Sequence, residues 1–167
     1  MADGKQPGSA RQRGTEATVP VRGNVTGANT NTNTKRERVL VVDDVEDNRD
    51  LYATYFEHWG FDTDQACDGE EALAKVTKEP PDVVIMDLSM PNLDGWEATR
   101  LIKSNPRTTH VIVIVVTGNS TERNMASARA AGANEVCSKP CLPKDLLARV
   151  EQHLAVRARK NSERCRV

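Results

Sequence analysis

Between Arg38 and Val156, short strand-like runs alternate with helical stretches five times in succession. That order restricts the fold more than any other property of the chain. Regular strand–helix alternation predicts an α/β domain, a five-stranded parallel sheet doubly wound with helices on both faces. Its crossovers should be right-handed. Val39–Val42 is the first apolar run and ends in Asp43-Asp44. Phe61–Ala66 is polar enough to suggest an edge strand. Val83–Met86 leads into Asp87, and Val111–Val116 leads into Thr117. The latter run is apolar throughout, as expected of a strand covered on both faces. Asn134–Ser138 is the last short strand, followed by Lys139-Pro140.

The helical stretches carry their own start and stop signals. Asp47 is expected to cap a helix through about Trp59, with Leu51, Tyr52, Tyr55, Phe56 and Trp59 at helical spacing and Gly60 as its stop. Asp68 opens the second helix with Glu71 in capping-box position, Leu73 and Val76 on one face, and Pro80-Pro81 beyond. Gly95–Ser104 brings Ala98, Leu101 and Ile102 together, and Thr121–Ala131 ends at Gly132. Pro143 suits the first turn of a last helix to about Val156, burying Leu146, Leu147, Val150 and Leu154.

The flanks differ from this body. Residues 1–36 are rich in Gly, Ser, Thr, Asn, Gln and Arg, nearly lack large apolar residues, and read as a disordered low-complexity arm. The body is expected over residues 37–156, with a basic C-terminal tail over 157–167. The formal net charge of −1 conceals +3 over residues 1–37 and +4 over residues 157–167, which leaves −8 for residues 38–156. A solvated tail is the simpler reading. The sharper one has Arg157, Arg159, Lys160, Arg164 and Arg166 meeting an acidic partner or nucleic acid. No aromatic residue is interleaved there, and the acidic body argues against direct nucleic-acid binding. No run approaches the roughly 20 residues of a membrane span, and no secretory signal is visible. Cys67, Cys137, Cys141 and Cys165 show neither framework nor zinc-finger spacing and read as reduced thiols of a cytoplasmic protein.

In a parallel sheet the strand ends carrying Asp43-Asp44, Asp87, Thr117 and Lys139 converge on one edge, where ligands sit in open α/β folds. Clustered carboxylates repel and call for a cation. An all-oxygen set suits a hard ion such as Mg²⁺. An aspartate can attack phosphorus and form an acyl phosphate. Lys139 and Thr117 supply a positive charge and a hydroxyl for phosphoryl oxygens, the positioning and charge stabilisation that phosphoryl transfer requires.

The acid pair, the Met86-Asp87-x-x-Met90-Pro91-x-x-Asp94-Gly95 loop, the threonine after a Val/Ile strand and the Lys139-Pro140 pair occur in the order of a response regulator receiver domain, which the chain resembles from about Arg38 to Val156. The resemblance implies a flavodoxin-like strand order 2-1-3-4-5. It implies Asp87 as phosphoacceptor, and Asp43, Asp44 and Asp87 with the Ser89 backbone carbonyl as Mg²⁺ ligands. It implies Lys139 and Thr117 as the lysine and switch hydroxyl, and a cis Lys139–Pro140 peptide. A histidine kinase or phosphotransfer protein would donate the phosphoryl group, and a downstream effector protein would read it. With no output domain in view, a stand-alone signalling domain rather than an enzyme is expected.

Three rivals stay open: a pseudo-receiver that binds partners without phosphorylation, a phosphatase with an aspartyl nucleophile, and a phosphate sink or shuttle in a phosphorelay. Val136 stands where many receivers carry Tyr or Phe, Gly118 where Ala is commoner, and Asn119 at a position that often tunes dephosphorylation in the family. Trp59 and Trp96 read as packing residues, and His58, His110 and His153 as surface or helix-end residues.

Overall fold

A computed structural model describes residues 35–118 and 121–164. Most of the expected arm, Asn119, Cys165 and Arg166 lie outside the described residues. Ten elements follow in strict alternation: β1 (Arg38–Val42), α1 (Glu46–His58), β2 (Asp62–Ala66), α2 (Gly69–Lys78), β3 (Val83–Asp87), α3 (Gly95–Ser104), β4 (Ile112–Thr117), α4 (Glu122–Ala130), β5 (Glu135–Ser138) and α5 (Pro143–Arg164). All strand pairs are parallel, in the order β2-β1-β3-β4-β5. The expected sheet and its order are both present.

Alternate strand residues point to opposite faces, and each face has its own apolar layer. Val39, Val41, Ile85, Ile114 and Val116 meet Tyr52 and Phe56 of α1 and Leu146 and Val150 of α5. Leu40, Val42, Val84, Met86, Val113 and Val115 meet Val76, Ala98, Ile102 and Ala128 from α2, α3 and α4. Two covered faces explain why β3 and β4 are apolar at nearly every position. β2 has only one neighbour and is correspondingly polar, with Lys75 Nζ tied to Asp64 Oδ1 at 2.8 Å. Both tryptophans pack partly buried against these layers, as expected.

Several boundaries differ from the pattern. Asp47 does not cap α1; Val45 occupies the cap, with no side-chain hydrogen bond. The Asp43 carboxylate accepts the Val45 N–H at 3.0 Å, so the chain turns around Asp43 and the helix begins early. Leu51 is exposed, because the buried stripe of α1 runs through Tyr52, Ala53 and Phe56. Asn134 stays out of β5: its Oδ1 accepts the Val113 N–H at 2.9 Å and Lys103 Nζ at 2.6 Å. α5 continues past Val156 to Arg164, so residues 157–164 of the expected tail are helical. No breaker follows Val156, the next residues are good helix formers, and Arg157 Nη2 pairs with Asp82 Oδ1 at 2.6 Å.

The capping signals of α2 hold. Asp68 Oδ1 accepts the Glu71 N–H, and Glu71 Oε2 accepts the Cys67 N–H, both at 2.8 Å. Gly60 and Gly132 end α1 and α4 with φ of +89° and +97°, a conformation that costs a glycine little.

Candidate functional site

The register brings four strand ends to one edge. Val42 aligns with Met86, Asp87 with Val116, and Thr117 with Ser138. Asp43, Asp87 and Thr117 are buried polar residues there, while Asp44 is exposed. One carboxylate oxygen from each of Asp43, Asp44 and Asp87 lies within 4.8 Å of the others. Lys139 closes the cluster, with Nζ 2.7 Å from Asp43 Oδ2 and 3.4 Å from Asp87 Oδ1. Its backbone N–H donates to the Thr117 carbonyl at 2.8 Å, and the Lys139–Pro140 peptide is cis. Ser89 is exposed in the loop after β3.

The charges act on one another. Burial raises the Asp87 pKa above the usual carboxylate range, the nearby Lys139 ammonium opposes that rise, and the charge of Asp43 adds to it. Burial works against the charge on Lys139, but its hydrogen bond to Asp43 and the two carboxylates outweigh this and hold it above lysine's usual range. Two buried carboxylates share one lysine, and a third carboxylate stands at the rim. That donor set fits a hard divalent cation bound through oxygen, Mg²⁺ in particular.

Two features of the site carry no signal in the motifs. Asn48 Nδ2 donates to both oxygens of Asp43, at 3.0 and 3.2 Å, and Arg49 Nη1 donates to the Asp43 carbonyl at 2.8 Å. These first-turn residues of α1 hold Asp43 from outside the strand, Asn48 by its carboxylate and Arg49 by its backbone carbonyl. The contacts of Gly95 give the reason for the last residue of the loop motif: a Cβ there would come nearer than 3.0 Å to the carbonyl of Asp87 and to Leu88 Cα. Its N–H donates to the Leu88 carbonyl at 3.3 Å, so α3 starts directly on the end of β3. Gly118, by contrast, has open space, with nothing within 4 Å of an added Cβ. Val136 is half-buried against the α2–α3–α4 layer.

The model of the response regulator receiver domain matches residues 39–151. The chain belongs to this family. The receiver domain is 33% identical to Response regulator PleD of Caulobacter vibrioides over 113 residues, which cover 68% of this chain and 25% of PleD. It is 31% identical to Protein PilG of Pseudomonas aeruginosa over 117 residues, covering 70% of this chain and 87% of PilG. Among solved structures, Vibrio cholerae chemotaxis protein CheY4 superposes with a TM-score of 0.67 at 28% identity, covering 70% of this chain and 98% of that one. A CheY-like receiver domain protein from Methanospirillum hungatei superposes with a TM-score of 0.71 at 26% identity, covering 75% and 98%. The receiver is thus a two-component signalling domain. Among its described residues no helix is long and apolar enough to cross a membrane.

Proposed function

We propose that the receiver takes a phosphoryl group onto Asp87 from a histidine kinase or phosphotransfer protein, and that the modified form changes its affinity for an effector protein. The observation that carries this reading is the bridge made by Lys139 between Asp43 and Asp87 beside a third carboxylate. An Asp87 oxygen attacks phosphorus as the bond from phosphorus to the donor imidazole nitrogen breaks. The product is an acyl phosphate, and the imidazole leaves with the bonding pair. Lys139 swings from carboxylate to phosphoryl oxygens and neutralises charge there. Thr117, at the end of the neighbouring strand, donates its hydroxyl to another of those oxygens. Asp43, Asp44, Asp87 and the Ser89 carbonyl would hold Mg²⁺, which when bound offsets the negative charge of the incoming group.

The intact acid set and Lys139 favour this over a pseudo-receiver. The residue two after Asp87 is Ser89, not the aspartate of Asp-x-Asp phosphatases. Acetyl phosphate labelling in Mg²⁺, followed by intact mass, tests the proposal. A single phosphoryl adduct is expected in the wild type, none in Asp87→Asn, and at least about a hundredfold slower labelling in Lys139→Met, the scale of losing one preorganised charge. Labelling of Asp87→Asn at the wild-type rate would place the phosphoryl group elsewhere.

A further inference from the structure

The opposite edge of the sheet carries a second feature, which phosphoryl chemistry leaves unused. A groove of about 910 Å³ lies between the overhanging end of α5 and the N-terminal ends of β3, β4 and β5. Its floor includes Asp82, His110 and Asn134, and its wall is Arg157, Lys160 and Arg164. The wall follows from helical periodicity. Leu147, Val150 and Leu154 form the stripe of α5 that packs on the sheet. Continued at the same spacing, that stripe meets Arg157, Asn161 and Arg164, with Lys160 beside them. The sheet-facing stripe therefore turns from apolar to basic where α5 passes the end of the sheet.

Arg157 is already committed, with Nη2 2.6 Å from Asp82 Oδ1 and Nη1 3.4 Å from the Asp82 carbonyl. That pair pins the start of the overhang to the β3 end. Lys160 and Arg164 have no ion-pair partner among the described residues, and both are exposed. His153, also on the lining, is turned to Glu135 at 2.8 Å. The groove thus offers two unspent cations on one helix face, four residues and about 6 Å of helix rise apart.

We infer that this groove docks a short acidic peptide segment of a partner protein, with carboxylates recurring every ~6–7 Å that pair with Lys160 and Arg164. Alternate residues of an extended strand have that spacing, at roughly 3.3 Å per residue. Charge selects this occupant over others. Residues 1–37 of the same chain carry +3, the same sign as this wall. A nucleic acid runs beyond the groove and across a body carrying −8 over residues 38–156, and the lining holds no Phe, Tyr or Trp ring on which bases could stack. A peptide with two or three carboxylates ends within the groove. The site lies at the far edge of the sheet from Asp87, so the inference stands apart from the phosphoryl-transfer proposal.

Fluorescence anisotropy of the full chain at low salt tests it, with a fluorescein-labelled glutamate–alanine repeat peptide, a glutamine–alanine control, and a single-stranded oligonucleotide. Saturable binding of the acidic peptide alone is expected, weakening as salt rises. The charge reversals Lys160→Glu and Arg164→Glu together should weaken it at least about tenfold, and the neutral pair Lys160→Gln and Arg164→Gln should weaken it by a lesser factor. Thermal unfolding and acetyl phosphate labelling should not change in either, because both side chains are exposed. Equal affinity of the charge-reversed variant, absence of any saturable binding, or tighter binding of the oligonucleotide would each overturn the inference.

Discussion

Gly95 has no room for a methyl group. Its Cα faces the carbonyl of Asp87, and an added Cβ would meet that oxygen and Leu88 Cα at or inside 3.0 Å. Both obstacles are backbone, so a larger residue must displace either α3 or the strand end that presents Asp87. Gly95→Ala is expected to cost about 1–3 kcal/mol, the range for overpacking a tight contact, and to slow labelling of Asp87 with it. Denaturant melts and adduct mass measure the two together. Lys103 raises a different question at the same scale. Its Nζ donates to the Val111 carbonyl at 2.5 Å and to Asn134 Oδ1 at 2.6 Å, both uncharged, and burial pushes its pKa down to about 8. The unfolded chain therefore binds more protons between about pH 8 and lysine's ordinary value. Stability due to this group rises with pH across that window. Tyr52 and Cys137, both pushed up to about 12 by burial, act in the opposite sense, since their unfolded forms lose protons first. The readout is therefore a difference: the stability of wild type relative to Lys103→Met should grow by about 1–3 kcal/mol between pH 7.5 and pH 10. A flat difference across that range would show that Lys103 keeps an ordinary pKa.

Elements begin and end for reasons that are only partly written in their own residues. The Asp68 and Glu71 signals of α2 were readable because both hydrogen bonds lie within four residues of each other. The start of α1 was not, because Asp43, in the turn just after β1, captures the Val45 N–H. Asn134 reads as a strand residue in sequence and is withdrawn by Lys103, 31 positions away. The end of α5 hides for a related reason: its apolar stripe stops with Leu154, but the Arg157–Asp82 pair carries the helix onward. The site shows the same division. Asp43, Asp44, Asp87, Thr117 and Lys139 were legible because strand ends in a parallel sheet share an edge. Asn48 and Arg49 act through contacts that no spacing rule announces, and Gly95, though part of the loop motif, shows its reason only in the close approach to Asp87. Asp68 serves two elements at once, since its second oxygen accepts Asn92 Nδ2 at 3.2 Å from the loop before α3. Asp68→Ala is expected to cost about 1 kcal/mol in urea denaturation, the usual loss of a helix cap.

Across the whole molecule, stability should follow position in the sheet. β1, β3 and β4 have neighbours on both sides, whereas β2 and β5 have one each. Hydrogen exchange should therefore be slowest in the amides of β3 and β4, opening only with global unfolding, and faster in β2. Exchange of β2 as slow as that of β3 would mean that the polar edge is no weaker than the centre.

The salt bridge between Asp43 and Lys139 joins positions 96 residues apart. The carboxylates come early in synthesis, and their counter-charge arrives only with the last strand. A nascent chain that has not yet released β5 from the ribosome carries the acidic residues without the cation that balances them. Under the proposed function, competence to receive a phosphoryl group would then come late in synthesis, once β5 has joined the sheet and brought Lys139 to Asp43.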